Sequence, residues 1–269
     1  MKIGNREFRP GARPYIMGIL NVTPDSFSDG GRYTDIDKAL AHVKELIDDG
    51  ADIIDVGGES TRPGHTRISI AEEIERSCFV IEAIKERFDI PVSLDTYKSE
   101  VARAGCMAGA DMINDIWGFK YDDRMAKLVA EYNVACCLMH NREQAMYVDL
   151  VEDVIDDLQQ SIDIALSAGV AKEKIMIDPG IGFAKDTDQN LKMMNHLEEL
   201  KRLGYPVLLG TSRKSMIGNT LGLPVEEREE GTIATSVLGL VKGCEFFRVH
   251  DVKKNYRALK MTAAMLGSH

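Results

Sequence analysis

The cysteine and histidine content of this chain argues against a disulfide framework and against a structural zinc site. Its 269 residues include five cysteines, an odd number, and no two of them have the CxxC spacing. The six histidines are scattered, and no HExxH motif is present. Most of the cysteines fall in apolar runs, which favours buried, reduced thiols of the kind found in cytosolic proteins.

Basic residues are also scarce relative to acidic ones. Lysine and arginine together number 33 against 43 aspartates and glutamates, so the formal net charge is −10; the sequence pI is about 5.2. An acidic surface argues against nucleic acid or an anionic membrane as a partner. It does not exclude an anionic substrate, because a local group of Arg and Lys can reverse the sign inside a cleft.

A long hydrophobic run is absent as well. The longest apolar stretch, around residues 232–241, is about half of what a membrane span needs. The N-terminal MKIGNREF lacks the charged-then-apolar layout of a signal peptide. We therefore expect a soluble, cytoplasmic protein.

What the chain does contain is a short apolar run, ending on a polar or Gly-rich cluster and followed by a helix-like stretch, eight times over. This repeat is typical of a (β/α)8 barrel, an α/β fold of about 250 residues. No linker or low-complexity run interrupts it, so we expect one domain over residues 1–269. The eight runs are residues 14–21, 51–58, 91–96, 109–116, 135–141, 174–180, 206–212 and 244–251.

Helical spacing of apolar residues predicts the intervening helices. We expect residues 2–8 to form a short strand or hairpin that plugs the bottom of the barrel. A doubly wound sheet is the alternative fold, but eight units with polar residues at nearly every strand end favour the barrel. The predicted helices are residues 35–49, 69–88, 98–107, 122–132, 151–168, 189–203, 226–241 and 252–266.

Because active sites of this fold lie at the C-terminal ends of the strands, the polar strand ends are the active-site candidates. Arg248 and His250 are two apart, so both face the barrel interior, where two cationic-capable groups suggest a phosphate or pyrophosphate site. The alternative is an arginine paired with a core carboxylate and a neighbouring histidine. The candidates are Asn21, Asp55, Asp95, Asn114, His140, Asp178, Ser212, Arg248 and His250.

Three of these candidates, Asp95, Asn114 and Asp178, suit a flat heterocycle with an amidine-like donor edge. A carboxylate accepts two hydrogen bonds side by side, and asparagine both donates and accepts. The alternative is that they are helix N-caps, which Asp and Asn often provide at strand–helix junctions. Three of them on one rim weaken that alternative.

Two further features point to a ligand. Lys214 lies in GTSRKS, where Thr211 or Ser212 could cap the following helix, and a helix N-terminus attracts anions. Phe183 follows Gly180-Ile181-Gly182 and could stack on an aromatic ligand. The connections over residues 21–34 and 57–69 are long for βα loops, so we expect mobile binding loops rather than spacers.

Seven stretches of the chain form a recognisable set: MGILNVTPDSFSDGG, ADIIDVGGESTRPG, PVSLDT, DMINDI, KIMIDPGIGF, PVLLGTSRKS and FFRVHD. In this order they resemble the dihydropteroate synthases, folate-pathway enzymes that sulfonamide drugs inhibit, over nearly the whole chain. The combination of NVTPDSFSDGG, GGESTRPG and SRKS is highly specific. The resemblance implies condensation of 6-hydroxymethyl-7,8-dihydropterin pyrophosphate with 4-aminobenzoate, dependence on Mg2+ and a homodimer.

The resemblance also implies residue roles. The pterin is expected on Asp95, Asn114, Asp178, Lys214, Ile116, Met139 and Gly210. The pyrophosphate is expected on Asn21, Arg62, Arg248 and His250, with Asn21 near the metal. The aminobenzoate pocket is expected from Phe27, Thr61, Pro63, Phe183 and Ser215, with Asp25 acting in closure of the first loop. The residues expected to carry catalysis are Asp95, Lys214, Arg248, His250 and Asn21.

One segment departs from the family pattern, and two other functions compete with the implied one. Many members read MHMQG after the fifth strand, whereas this chain reads MHNREQAMY and retains Met139. A pterin-dependent methyltransferase of the same fold would have no use for a pyrophosphate clamp. A non-catalytic pterin-binding homologue is disfavoured because no expected active-site residue is missing.

Overall fold

A computed structural model describes residues 1–22, 32–59 and 67–267, with only the backbone described for residues 32–35. Eight parallel strands form one sheet, in the spatial order 175–178, 135–139, 112–115, 92–95, 53–57, 15–21, 246–249 and 208–209. The two ends of that order meet through a parallel bridge between Ile177 and Val207 and a 3.0 Å hydrogen bond from Ile177 N to Pro206 O. The sheet is therefore a closed barrel, and the predicted (β/α)8 fold is confirmed.

Every predicted strand run contains one strand of the barrel. The N-terminal hairpin consists of β1 (Lys2–Ile3) and β2 (Arg6–Glu7). The barrel strands are β3 (Tyr15–Asn21), β4 (Ile53–Gly57), β5 (Val92–Asp95), β6 (Met112–Asp115), β7 (Ala135–Met139), β8 (Ile175–Asp178), β9 (Leu208–Leu209) and β10 (Phe246–Val249).

Helices follow the strands and surround the barrel. They are α1 (Arg32–Asp48), α2 (Ile70–Arg87), α3 (Ser99–Met107), α4 (Met125–Tyr132), α5 (Leu150–Ser167), α6 (Thr187–Asn195), α7 (Ser215–Leu221), α8 (Glu229–Val241) and α9 (Val252–Met265). Short 3-10 helices lie at Lys172–Lys174, Leu197–Leu203 and Val225–Glu227. No helix in the described part of the chain is long and apolar enough to cross a membrane.

Alternation along the strands divides the core into two layers. Outward-facing residues such as Ile54, Leu94 and Leu138 are fully buried against the helices. Inward-facing residues at the N-terminal ends of the strands form a separate cluster, and the hairpin contributes Ile3 and Phe8 to it. The predicted plug at the bottom of the barrel is therefore confirmed, and it leaves the opposite end for chemistry.

Local predictions fail at two places on the second half of the barrel. The predicted helix 189–203 is divided at His196 into α6 and a 3-10 helix. Neither Thr211 nor Ser212 caps α7, which begins after Lys214 without a side-chain cap. The hydroxyls of those two residues are instead engaged by Thr235 and His250, each at 2.8 Å.

Candidate active site

A cavity of about 430 Å³ opens at the C-terminal ends of the strands. Its position follows from the fold, because the apolar plug fills the barrel at the other end. Its lining combines carboxylates, amides and cations with an apolar wall. The lining residues are Ile19, Asn21, Asp95, Asn114, Ile116, Met139, Asp178, Gly182, Phe183, Gly210, Ser212, Arg213, Lys214, Ser215, Val225, Arg228, Arg248 and His250.

The polar floor of the cavity is built by neighbouring strands. Asp95 at the end of β5 pairs in register with Asn114 on β6, and Asp178 ends β8; all three side chains are buried. None of the three caps a helix, because the residues preceding α3, α4 and α6 are Lys98, Arg124 and Asp186. The N-cap alternative is therefore wrong, and a buried polar set remains.

Arg248 joins Asp95, at the end of β5, to Asp55, which lies in the middle of β4. Its Nε donates to Asp55 Oδ2 and its Nη2 donates to Asp95 Oδ2, both at 2.7 Å. The remaining oxygens of both carboxylates, Asp55 Oδ1 and Asp95 Oδ1, are buried without a partner among the described residues. Arg248 is thus paired with core carboxylates, as the alternative interpretation expected, while Nη1 finds no partner in the described part of the chain.

Burial and ion pairing act in opposite directions on this group. Burial raises the pKa of Asp95 to about 7, although the charge of Arg248 lowers it. Burial lowers the pKa of Arg248 while Asp55 and Asp95 raise it, and the balance lies above its ordinary value. The arginine is therefore a permanent cation, whereas Asp95 changes charge near neutral pH.

His250 faces the cavity beside Ser212. The Ser212 hydroxyl lies 2.8 Å from His250 Nδ1 and accepts a 3.2 Å hydrogen bond from the His250 backbone N–H. The direction of the hydrogen bond between that hydroxyl and Nδ1 depends on the tautomer of the ring, because a hydroxyl that already accepts from the backbone can still accept once more or donate its own proton. The His250 ring lines the same rim of the cavity as Arg248.

Lys214 enters the cavity from the loop before α7. Its ammonium donates to Ile181 O and lies 4.9 Å from the centre of the Phe183 ring. Burial lowers the pKa of Lys214 to about 8, although the charge of Asp178 raises it. Burial in turn raises the pKa of Asp178, whose Oδ1 accepts a 2.7 Å hydrogen bond from Gly180 N. A lysine and a carboxylate thus share one wall.

An apolar patch completes the rim on the side of β6 and β7. Tyr97, Ile116 and Met139 are buried together, with Trp117 and Phe183 packed against them. Gly210 leaves open space opposite, since a side chain there would project toward Asp178, Arg248 and Lys214. A flat aromatic ring fits between such an apolar wall and the polar floor.

The structure brings together most of the residues singled out from the sequence. Asn21, Asp95, Asn114, Ile116, Met139, Asp178, Phe183, Gly210, Lys214, Ser215, Arg248 and His250 all line the cavity. Asp55 lies below them, under Arg248. Asp25, Phe27, Thr61, Arg62 and Pro63 fall outside the described residues, so their assignments stay predictions.

His140 is the strand-end candidate that lies elsewhere. It follows Met139, which faces the cavity, so its own side chain is directed out of the barrel. There its Nε2 contacts Asp157 Oδ2 of α5 at 3.0 Å and its Nδ1 contacts Lys185 Nζ at 2.8 Å. Alternation within the strand could have signalled this outward position.

Sequence reasoning missed an ionic network beside the second long connection. Lys98 Nζ donates to Glu59 Oε2 and Glu73 Oε2, each at 2.7 Å, and to Ile68 O at 3.1 Å. The Tyr97 hydroxyl donates to Glu59 Oε1 at 2.8 Å. The network fixes residues 59 and 68, on either side of residues 60–66. Lys98 and Glu73 lie within helical patterns, which gave no sign of it.

The fold and the cavity define a (β/α)8-barrel enzyme with a site for a ligand that has a polar planar edge and an anionic group. The chain matches the model of a family described as pterin binding enzyme over residues 17–250. It is 64% identical to the dihydropteroate synthase of Clostridium beijerinckii, over 97% of this chain and 98% of that protein.

Solved structures give the same picture. The structure of Clostridium difficile dihydropteroate synthase in the presence of pteroic acid superposes with a TM-score of 0.94 at 51% identity, covering 96% of this chain and 99% of that one. Xanthomonas albilineans dihydropteroate synthase with 4-aminobenzoic acid superposes at 0.90 with 43% identity, covering 94% and 93%. The chain belongs to the dihydropteroate synthase family of pterin-binding enzymes.

Proposed function

We propose that this chain condenses 6-hydroxymethyl-7,8-dihydropterin pyrophosphate with 4-aminobenzoate, giving 7,8-dihydropteroate and pyrophosphate. The observation that carries the proposal is one cavity in which Asp95, Asn114 and Asp178 adjoin Arg248 and His250. The first three suit the edge of a pterin, and the last two suit its pyrophosphate. Family membership supplies the same reaction independently.

The pterin occupies the floor of the cavity in this proposal. The unpartnered Asp95 Oδ1 accepts from the donor edge of the ring, and Asn114 and Asp178 supply further acceptors and a donor. Lys214 lies on the Asp178 side of the floor and donates to an acceptor of the heterocycle. Ile116 and Met139 cover one face of the ring, and Gly210 leaves room beside it.

The pyrophosphate lies at the rim. Arg248 donates from Nη1, and His250 donates from its ring, so that the leaving group meets one permanent cation and one hydrogen-bond donor. Arg62, in the second long connection, adds a second arginine by sequence resemblance. Neutralising the leaving group in this way lowers the barrier to breaking its bond to the methylene carbon.

Mg2+ fits the donor set at the same rim. Among the described residues there is no group of three or more His, Cys, Asp or Glu that could hold a metal ion, but Mg2+ keeps several of its waters and binds substrate phosphates, so it needs few ligands from the protein. Asn21 ends β3 as an exposed amide at the cavity edge. When bound there with the pyrophosphate, Mg2+ neutralises charge on the leaving group.

The chemistry follows from the weakness of the nucleophile and the charge of the leaving group. An aryl amine is neutral at pH 7, so its attack needs no strong general base. The demanding step is departure of pyrophosphate, which develops cationic character at the pterin methylene. Asp95 in its ionised form stabilises that charge, and the reaction is largely dissociative. The 4-aminobenzoate approaches from the side of Phe183 and Ser215, with Phe27, Thr61 and Pro63 assigned to the same pocket by resemblance.

The protein acts as a homodimer in this proposal. The helices α8 and α9 pack against one another, and some of their apolar side chains remain exposed to solvent. The exposed fractions are 39% for Leu238 and 55% for Val241 on α8, and 60% for Met261 and 68% for Met265 on α9. Exposed apolar side chains on two helices that pack together are the feature that supports an interface with a second copy of the chain. The molar mass of the protein in solution by light scattering tests this point.

One assay separates the proposed reaction from the other functions open to this fold. Release of pyrophosphate from the dihydropterin substrate is followed with and without 4-aminobenzoate. A synthase releases pyrophosphate with turnover only when the amine is present. A pterin-dependent methyltransferase or a non-catalytic pterin-binding protein releases none under either condition, and that outcome would contradict the proposal.

A further inference from the structure

Behind the Phe183 wall of the cavity lies a lysine that the reaction as described does not use. Lys185 Nζ contacts three acceptors: His140 Nδ1 at 2.8 Å, Gly180 O at 3.1 Å and Phe183 O at 3.2 Å. In its protonated form the ammonium group has three N–H donors, one for each contact, although burial lowers the pKa of Lys185 to about 7. The lysine thereby joins the end of β7 to the turn that follows β8.

The hydrogen bonds around His140 fix its protonation. Its Nδ1 accepts from the Lys185 ammonium, so its Nε2 carries the proton and donates to Asp157 Oδ2 at 3.0 Å. Burial lowers the pKa of His140 to about 4, in agreement with a neutral ring. Arg142 Nε donates to the same Asp157 oxygen at 2.5 Å. His140 is therefore a neutral acceptor backed by an ion pair, and it does not compete with Lys185 for a proton.

The turn that Lys185 holds is the part of the cavity wall that bears Phe183. Three of its backbone carbonyls accept hydrogen bonds from lysines. Lys185 donates to Gly180 O and Phe183 O from behind the wall, and Lys214 donates to Ile181 O from the cavity side. The backbone of Gly180 has a φ of 67° and approaches His140 O so closely that an added Cβ would lie 2.0 Å from it. The turn therefore rests directly on the end of β7.

The stretch that departs from the family pattern begins at the end of β7, on which the turn rests. In MHNREQAMY, His140 accepts from Lys185 and the Tyr147 hydroxyl donates to Ala184 O at 2.7 Å. The Arg142 guanidinium packs over the Tyr147 ring at 4.6 Å. His140, which the family pattern shares, and Tyr147, at the end of the departing stretch, thus hold residues 184 and 185, which directly follow the turn.

We propose that Lys185, seated on His140, is a positioning residue that holds the turn of residues 180–183 so that Phe183 forms the aminobenzoate side of the cavity. This inference rests on the proposed function for the identity of the ligand. Lys185 does not line the cavity. The pterin side depends less on it, because Asp95, Asn114 and Asp178 stand on strands and the turn meets this set only through the hydrogen bond from Gly180 N to Asp178 Oδ1. Positioning groups of this kind set the precision of a site built on a turn.

The test compares Lys185→Met with Lys192→Met, which removes an exposed lysine from α6. We expect Lys185→Met to raise the KM for 4-aminobenzoate about tenfold, roughly the worth of one hydrogen bond to a charged group. We expect kcat and dihydropterin affinity to change by less than about threefold, because the strand-borne residues remain in place. Lys192→Met should resemble the wild type.

Two further measurements make the outcome decisive. His140→Gln keeps an acceptor for Lys185 and a donor for Asp157, whereas His140→Leu keeps neither; only the leucine variant should reproduce the KM effect. Hydrogen exchange of the peptide containing residues 180–185 should accelerate in Lys185→Met and not in Lys192→Met. Unchanged exchange, or an equal loss of affinity for both substrates, would overturn the inference. The exchange result holds whether or not the wild type shows synthase activity, so failure of the proposed function is recognised separately.

Discussion

Arg248 Nη2 donates to Asp95 Oδ2 at 2.7 Å, across the barrel interior from β10 to β5. One residue is assigned to the leaving group and the other to the pterin, so the two halves of the proposed reaction are in direct contact. The contact also has an electrostatic consequence. Arg248 lowers the pKa of Asp95 against the effect of burial and so increases the fraction of Asp95 that is ionised near neutral pH.

That relationship determines what loss of the arginine should do. Arg248→Ala is expected to weaken pyrophosphate binding roughly tenfold to over a hundredfold, the range for a hydrogen bond to a charged group. Binding of the free, unphosphorylated pterin should weaken less, because only the loss of the charge that lowers the pKa of Asp95 affects it. Calorimetric titration with each ligand checks the difference. Equal weakening of both would mean that Arg248 serves the barrel rather than the anion.

The variant carries a structural cost that needs its own measurement. Removing one partner of a buried ion pair leaves uncompensated charge and commonly costs about 3–5 kcal/mol of stability, and here Asp55 and Asp95 both lose a partner. We therefore expect a lower Tm for Arg248→Ala, which saturating pterin only partly restores. Arg248→Lys keeps a cation and provides the matched comparison when the alanine variant is too unstable to titrate.

Asp178 is predicted to act mainly in pterin binding. Asp178→Ala should reduce dihydropterin affinity roughly tenfold to over a hundredfold, because a hydrogen bond to a charged group is worth about 1.5–3 kcal/mol. Asp188→Ala, in the exposed first turn of α6, is a control of the same chemistry. Unchanged pterin affinity in the Asp178 variant, measured by calorimetry, would remove this residue from the binding site.

The pH dependence of turnover follows from the raised pKa of Asp95 and the lowered pKa of Lys214. The pKa of Asp95 is raised to about 7, so the stabilising negative charge is lost as pH falls below that value. The pKa of Lys214 is lowered to about 8, so its positive charge is lost as pH rises above that value. We expect a bell-shaped profile of kcat/KM with these two limits.

One substitution assigns the alkaline limb of that profile. Lys214→Arg places a group that stays protonated throughout the accessible range, so the decline above pH 8 should disappear even when the maximal rate is lower. Profiles of both proteins with the same buffers and substrates supply the comparison. An alkaline limb that persists unchanged would mean that another group titrates there.

A prediction from the sequence concerns the order of binding. Asp25, Phe27, Thr61 and Pro63 lie in the two long connections, whose bases carry Asn21 and Arg62, the residues expected to meet Mg-pyrophosphate. We expect 4-aminobenzoate or a sulfonamide mimic to bind poorly to the free protein and tightly once Mg-pyrophosphate is present. Asp25→Ala should weaken that coupling and lower turnover with little effect on pterin affinity. Sulfonamide affinity with and without Mg-pyrophosphate decides the point, since equal affinities would indicate a pocket formed beforehand.

The barrel and most of the cavity could be predicted because both follow from local patterns. Apolar runs ending on polar residues place Asp95, Asn114 and Asp178 at one end of a parallel barrel, whatever the details of packing. The alternation of side chains along β10 likewise places Arg248 and His250 on one face.

The sequence could not predict which side chains pair with one another when they are far apart in the chain. Arg248 meets Asp55 and Asp95, which are far from it in the chain, and only closure of the barrel brings them together. His140 illustrates the opposite error. It is a polar residue at the end of a strand, but it directly follows Met139, which faces the cavity, so its own side chain faces the other way. His140 therefore supports the wall through Lys185 instead of lining the cavity.

The measurement that tests the central claim most directly is the balance of products from the wild-type protein. Dihydropterin pyrophosphate, 4-aminobenzoate and Mg2+ are incubated with the protein, and dihydropteroate is quantified by mass spectrometry alongside pyrophosphate. We predict equal amounts of the two products, formed together and dependent on 4-aminobenzoate. Pyrophosphate without dihydropteroate, or pterin binding without either product, would contradict the account.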